Sequence, residues 1–345
     1  MMKNETRGHG DGATRRKDSA LRFSASSRLR VISLVTLVLF LAAIASLAHF
    51  TQTSGAQTQR RSGAHSASTR DVFTASDKAA VERAMGTACA ERIRDPLGST
   101  PIDEMQARPS LSASNAEAVT GAKRAERLLP TTRRLVVNAI VELAKDYDLY
   151  DSVPARLRVS AATARVQAVK RVRPDVDARD NASVLLRDPR TIDFGTIFLA
   201  GLRSDEAMIS VLAHELTHVA SGQADSLRPL FRAIGHRAVA RTGLRIQGQR
   251  AEELACDLVG LVAARAYVKD EPSWEPESRR LARAVEHNCV DDDSSDEDHL
   301  SPRNTMRALF ALNVDLAHLL AGSKPNALFV IPRRRSSLTV AAAGS

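Results

Sequence analysis

The pentapeptide HELTH at residues 214–218 constrains the fold of this chain more than any other feature of its sequence. It matches the pattern H-E-x-x-H and lies in a segment whose apolar periodicity predicts a helix over residues 205–221. Residues four apart on a helix share a face, so His214 and His218 can present two imidazoles to one metal ion. Glu215 projects beside them, where its carboxylate can reach a metal-bound water. The alternative, a surface helix with two solvated histidines, is disfavoured by the apolar neighbours.

A third protein ligand would leave one corner of a four-coordinate zinc site to water. One known continuation of the motif needs Gly at position 221 and His at position 224, but Ser221 and Ala224 occupy those positions. The ligand must then come from another element. Glu253 is the candidate, in a helix predicted over residues 249–268, and Asp257 follows one turn later on the same face.

We expect Glu253 to bind the metal and Asp257 to hydrogen-bond the distal nitrogen of a ligand histidine, which would fix the tautomer of that ring. Two alternatives remain open. In the first, Glu252 is the ligand instead. In the second, Glu253 and Asp257 form a solvated pair balanced by Arg250.

The segment 204–219, SDEAMISVLAHELTHV, followed by E-x-x-x-D at 253–257, resembles the HtpX-type and CAAX prenyl protease family of gluzincin zinc metallopeptidases. The resemblance covers roughly residues 130–320. It implies one zinc ion per chain, bound by His214, His218 and Glu253. It also implies that Glu215 is catalytic and that Asp257 supports the site.

Beyond the two metal motifs, the sequence shares two weaker features with this family and departs from it at two points. The late segment SPRNTMR is similar to the His-Pro…Arg element of the family, with Arg307 five residues after the proline. Ser301 stands where the family has its histidine, and His299 lies two residues earlier. Asn181-Ala182 is similar to a pair that precedes the edge strand in the family. The multi-span membrane body of the prenyl protease and HtpX branches is missing, so the comparison is with single-span, extracytoplasmic members.

The first 73 residues are expected to form a targeting or membrane-anchoring segment and a flexible linker. An uncharged run of 18 residues, 31–48, is long enough for a membrane helix, and we assign residues 31–49 to an anchor or, alternatively, to a cleaved signal segment. Eight Lys/Arg precede it, so residues 1–30 are expected in the cytoplasm and the remainder on the extracytoplasmic side. The polar composition of residues 50–73 predicts a flexible linker.

The formal net charge of +9 does not indicate a nucleic-acid partner. Residues 1–30 carry +5 of it, and the rest of the chain has no basic stripe interleaved with aromatics. Residues 74–332 are expected to form one metallopeptidase domain and residues 333–345 a flexible tail. The fold class is α+β, mostly helical, with a small sheet next to the H-E-x-x-H helix. Strands are predicted at 157–159, 166–169, 183–186 and 196–199. Further helices are predicted at 76–94, 113–128, 131–147, 226–241, 277–288 and 302–320, and a loop at 96–112.

The remaining cysteines and histidines carry weaker signals. Cys89 and Cys289 could pair in an oxidising compartment, but three cysteines allow three pairings. Cys256 is expected to be a buried thiol. We interpret His236, His287 and His318 as helix-surface residues, and the carboxylates at 291–298 as a solvated loop rather than a calcium site.

The sequence therefore predicts a membrane-anchored zinc metalloendopeptidase that hydrolyses peptides or unfolded proteins, with Glu215 as general base. An extended substrate could add to an edge strand near residues 196–199. The alternative is a non-catalytic envelope protein, chaperone-like or binding, that keeps the metal for structure. The oligomeric state is not readable from the sequence.

Overall fold

Helices dominate the computed structural model, which describes residues 72–184, 188–222, 226–291, 295 and 297–322. The predicted anchor, the linker up to residue 71 and the C-terminal tail lie outside the described residues. The helices are α1 (Ala75–Arg94), α2 (Ile102–Ala107), α3 (Ala116–Asp146), α4 (Val153–Ala168), α5 (Thr196–Gly201), α6 (Asp205–Ser221), α7 (Arg228–Thr242), α8 (Gln249–Asp270), α9 (Glu277–Arg283), α10 (Pro302–Leu312) and α11 (Val314–Leu320). Among these described residues, no helix combines the length and apolarity of a membrane span.

A small mixed sheet accompanies the helices, as the predicted fold class requires. Its strands are β1 (Arg171–Asp175), β2 (Ala182–Ser183) and β3 (Thr191–Gly195), in the spatial order β1-β3-β2. The central strand β3 runs parallel to β1 and antiparallel to β2. All five residues of β3 are buried. Because β3 lies between the other two strands, β2 forms one edge of the sheet in the described region.

Three segments predicted as strands are helical. The predicted strands at 157–159 and 166–169 both lie in α4, whose buried residues Ala155, Val159, Ala162 and Val166 follow a period of three to four. The predicted strand at 196–199 belongs to α5, in which all six residues are buried. A short apolar run of this kind fits a buried helix as well as a strand.

Other boundaries also differ from the predictions. The segments 113–128 and 131–147 form the single helix α3, with Pro130 on its exposed side, where water can satisfy the carbonyl that the proline leaves unpaired. The predicted loop 96–112 contains α2. The predicted helix 277–288 is interrupted after Arg283 and continues as a short 3-10 turn over Glu286–Asn288. The predicted helix 302–320 divides at Asn313, whose side chain caps α11.

The helix α6 carries the HELTH motif through the interior, and its bounds match the predicted range. Ser204 caps its start by accepting a hydrogen bond from the Ala207 N–H at 3.1 Å. It ends at Gly222, whose φ of 57° suits glycine, and Arg165 donates to the last carbonyls. Fourteen of its 17 residues are buried, as expected for a helix packed on all sides.

The helix α8 packs against α6 at very short range because of Gly260. A Cβ atom on this glycine would lie 2.5 Å from the Ser210 carbonyl oxygen on α6. No other residue permits this approach, which aligns the first turns of α8 with the HELTH segment.

The cysteines adopt one of the three possible pairings. Cys89 on α1 forms a disulfide with Cys289, which follows the 3-10 turn, and Cys256 is a free, buried thiol.

Candidate metal centre

The two histidines of the HELTH motif lie on one face of α6, as the spacing predicts. Their ring centroids are 4.9 Å apart, and the Nε2 atoms of His214 and His218 approach to 3.1 Å. Both rings are about three-quarters buried or more, so each Nε2 atom faces a sheltered space rather than bulk solvent.

Glu253 on α8 completes a triangle with these two nitrogens. Its Oε2 atom lies 3.2 Å from Nε2 of His214 and 3.4 Å from Nε2 of His218. Gln249, one turn earlier, donates a hydrogen bond of 2.7 Å to the other carboxylate oxygen. Ligand atoms in a tetrahedral zinc site with bonds of about 2.0–2.1 Å stand about 3.3–3.4 Å apart. The three atoms therefore fit a zinc ion with little adjustment.

Two further carboxylates of α8 lie behind the imidazoles. Asp257 Oδ1 is 2.7 Å from Nδ1 of His214, the contact expected from the sequence. Glu252 Oε1 is 3.3 Å from Nδ1 of His218. Glu252 thus meets the ring nitrogen opposite the triangle, which argues against its alternative assignment as the third ligand.

Cys256 offers a different ligand set, because His214, His218 and Cys256 also form a cluster that could hold a metal ion. The Cys256 Sγ atom lies 3.7 Å from Nδ1 of His218, on the side of that ring away from Glu253. Since Nε2 of both rings points at Glu253, the carboxylate triangle uses the nitrogens that already converge. The two candidate ligand sets thus share the histidines and differ in whether Glu253 or Cys256 is the third member.

The electrostatics of the triangle favour a cation. Burial opposes protonation of both imidazoles, but Asp257 raises the pKa of His214 well above its ordinary value, and Cys256 and Glu252 raise that of His218. Burial also opposes ionisation of Glu253, yet the two imidazoles hold the pKa of its carboxyl below the usual range. The same negative surroundings that favour protons here would favour a divalent metal ion.

Glu215 lies next to the triangle, is buried, and lines the same cleft. Burial raises the pKa of its carboxyl, although the neighbouring imidazoles act in the opposite direction. The structure thus brings together all five residues that the sequence singled out: His214, Glu215, His218, Glu253 and Asp257.

The triangle opens into a cleft of about 1380 Å³. One wall comes from the edge of the sheet, with Asn181, Ala182 and Ser183, and another from residues that follow α9, with His287 and Asn288. The predicted edge strand at 196–199 is wrong, because that segment is helical and β3 is central. The open edge beside the cleft is β2.

The other histidines divide into three environments. His299 lines the cleft with its Nε2 atom 3.9 Å from Glu253 Oε2, whereas Ser301 is buried and caps α10. His236 is exposed, as expected. The surface assignments of His287 and His318 are wrong: His318 is buried and bonds Asp77 at 2.9 Å, and His287 is buried in the cleft wall.

His287 was missed because its predicted helix, 277–288, ends early. Burial lowers the pKa of His287 to about 4, so its ring is neutral near pH 7. The sequence offers Glu252 only as an alternative third ligand, and its contact with His218 Nδ1 is not predicted because it lies about 100° from Glu253 around α8. Glu252 and Cys256 are four residues apart and therefore share a face of α8. This spacing is the sequence signal for a second pair of side chains directed at His218.

Comparisons with models of protein families, with curated proteins and with solved structures each found no match to this chain.

Proposed function

We propose that the chain is a zinc metalloendopeptidase with a gluzincin-like catalytic domain, related to the HtpX-type and CAAX prenyl protease family. The observation that carries the proposal is the convergence of His214 Nε2, His218 Nε2 and Glu253 Oε2 within 3.1–3.4 Å at the base of an open cleft. A purely structural zinc site would be closed by a fourth protein ligand. Here Glu215 stands beside the triangle in the cleft.

The residues around the triangle suit hydrolysis of an amide bond. Zinc bound there would lower the pKa of water towards about 7 and polarise the scissile carbonyl. Glu215 accepts the proton of the attacking water and delivers it to the leaving amine nitrogen. Asp257 orients His214 by contacting the Nδ1 atom of that ring.

The cleft supports an extended polypeptide as substrate. In the described sheet β2 pairs with β3 on one side only, and both of its residues line the cleft. A substrate strand could add to its other side through main-chain hydrogen bonds, which makes few demands on sequence. A peptide or an unfolded protein, rather than a small molecule, matches a cleft of about 1380 Å³ that is bordered by a strand edge.

We further propose that residues 31–49 anchor or target the chain so that the catalytic domain is extracytoplasmic. The charge asymmetry around this segment supports the orientation. The disulfide between Cys89 and Cys289 supports an oxidising compartment independently, because such bonds are rare in the cytosol.

The substitution Glu215→Gln tests the proposal, because it preserves the shape of the side chain and removes the base. We expect bound zinc to stay at wild-type stoichiometry while cleavage of unfolded casein falls by about 10²–10⁴-fold. Glu126→Gln, an exposed substitution of the same kind on α3, should leave both unchanged. Wild-type protein that binds zinc but shows no chelator-sensitive cleavage would favour the non-catalytic alternative.

A further inference from the structure

The distal nitrogen of His218 has two neighbours on α8. Glu252 Oε1 lies 3.3 Å from Nδ1 of His218, and Cys256 Sγ lies 3.7 Å from the same atom. Glu252 and Cys256 are four residues apart, so they approach the ring from one face of the helix. This face is distinct from the one that presents Glu253 to the Nε2 atoms.

The position of the metal triangle decides which nitrogen of His218 carries the proton. Its Nε2 atom faces His214 and Glu253, so binding a metal there requires Nε2 to be unprotonated. The neutral ring then holds its proton on Nδ1, which becomes a donor and needs an acceptor.

The carboxylate is the better acceptor of the two neighbours. A carboxylate oxygen accepts charge-assisted hydrogen bonds, whereas a thiol sulfur accepts only weakly. Glu252 is about two-thirds buried on its side chain and can hold its position beside the ring.

The same arrangement exists at the other ligand. Asp257 Oδ1 lies 2.7 Å from Nδ1 of His214, and its side chain is 28% exposed against 29% for Glu252. Because the exposures match, the difference between the two contacts is their length, 2.7 Å against 3.3 Å. The shorter contact is expected to be the stronger.

We propose that Glu252 is a positioning residue, which holds the His218 imidazole for metal binding by accepting a hydrogen bond from its Nδ1–H. Each zinc-binding imidazole is then fixed from behind by its own carboxylate of α8, Asp257 for His214 and Glu252 for His218. The inference rests on the metal site of the proposed function, but not on hydrolysis.

Zinc affinity of the full-length chain, measured by competition with a chromophoric chelator, tests this role without any substrate. Loss of an outer partner typically costs 10–100-fold in metal affinity. We expect Glu252→Ala to weaken zinc binding about 10-fold and Asp257→Ala by more. Glu252→Gln, which keeps an oxygen acceptor, should recover part of the loss, and Cys256→Ala should change affinity less than about threefold. The melting temperature of the metal-free protein checks that each variant folds.

Three results would overturn the inference. The first is zinc binding by Glu252→Ala within threefold of wild type. The second is a Glu252→Gln variant that binds zinc as weakly as Glu252→Ala. The third is a thiolate-to-metal charge-transfer band in the Co²⁺-substituted wild type that disappears in Cys256→Ala, because the metal would then lie between Cys256 and Nδ1 of His218. A chain that binds zinc with the expected ranking but does not cleave casein would retain this inference and lose the proposed activity. A chain that binds no zinc would lose both.

Discussion

Single residues of α8 determine the geometry of the candidate centre, because three carboxylates on adjacent turns contact different nitrogen atoms of two imidazoles. Glu253 faces both Nε2 atoms, whereas Asp257 and Glu252 each face one Nδ1 atom. The negative charge thus surrounds the rings on both sides. A divalent cation in the triangle would neutralise part of this charge, which makes metal affinity sensitive to each carboxylate separately.

Removal of the proposed third ligand should affect metal binding most. Glu253→Ala leaves only two imidazoles to bind the metal. We expect zinc affinity to fall at least about 100-fold, more than after loss of a carboxylate that contacts only a histidine. The zinc-induced rise in melting temperature should shrink accordingly, since stabilisation follows ligand concentration over Kd. Chelator competition and thermal melts with and without zinc measure both. An affinity close to wild type would exclude Glu253 as a ligand and favour the cluster with Cys256.

Glu286 predicts a pH dependence of stability away from the metal. Burial raises its pKa from 4.5 to about 7, although the Ser99 N–H donates to its carboxylate at 2.6 Å. The folded state therefore holds an extra proton between these two values, and stability falls as the pH rises from about 4.5 to about 7. Glu286→Gln removes this loss. We expect it to stabilise the fold by about 1–3 kcal/mol at pH 8 and to have little effect at pH 4.5.

Melting temperatures of the two proteins across this pH range provide the measurement. The curves should converge at the acidic end and separate above neutrality. A constant offset at every pH would show that Glu286 titrates at its ordinary value in the fold.

The sequence predicts individual site residues well where helical spacing alone decides their position. His214 and His218 are four apart in one helix, and so are Glu253 and Asp257, so their faces follow from periodicity. The role of Glu252 does not, because it depends on how far apart the two imidazoles stand across the interface between α6 and α8. His287 was equally inaccessible, since its orientation depends on where a helix stops.

At the scale of elements, the site depends on the close approach of α8 to α6. Gly260 lies seven residues, or about two turns, after Glu253, and Ser210 lies one turn before His214. The short contact between Gly260 and Ser210 therefore lies one turn from the metal triangle along α6 and about two turns from it along α8. Any separation there would move Glu253 away from the imidazoles.

Gly260→Ala tests this dependence. Its Cβ would lie 2.5 Å from the Ser210 carbonyl oxygen, so α8 must shift. We expect a loss of about 1–3 kcal/mol in the free energy of unfolding, together with weaker zinc binding. Gly86→Ala on α1 is the control: nothing lies within 4 Å of its Cβ, and it should stabilise by about 0.5–1 kcal/mol without changing zinc affinity. Denaturant unfolding and chelator competition distinguish them. Equal effects of the two substitutions would contradict the packing argument.

The elements that the sequence predicted wrongly share one physical cause. The segments 157–159 and 166–169 contain β-branched residues, which favour strands, yet the buried positions of the helix repeat every three to four residues. The run at 196–199 is apolar throughout, so no periodicity could separate helix from strand. In both cases packing against the rest of the molecule, which a local pattern does not contain, selects the helix.

At the scale of the whole molecule, the cleft is assembled from distant parts of the chain. Asn181 and Ser183 come from the sheet, His214 and Glu253 from the central helices, and His287 from the segment after α9. The disulfide fixes that last segment to α1, because Cys289 lies two residues after His287 and pairs with Cys89. One wall of the cleft is thus covalently attached to the first helix of the described region.

Loss of this disulfide should both destabilise the molecule and loosen that wall. The bond links residues 200 positions apart, and crosslinks over long loops remove much entropy from the unfolded chain. We expect the double substitution Cys89→Ala/Cys289→Ala to lower the free energy of unfolding by about 2–4 kcal/mol. Zinc affinity should stay within about threefold of wild type, because no proposed ligand lies in the short segment around Cys289 that forms this wall, while KM for a peptide substrate should rise. Denaturant unfolding, chelator competition and steady-state kinetics measure the three effects. A large loss of zinc affinity would mean that the disulfide supports the metal triangle itself and not only the wall of the cleft.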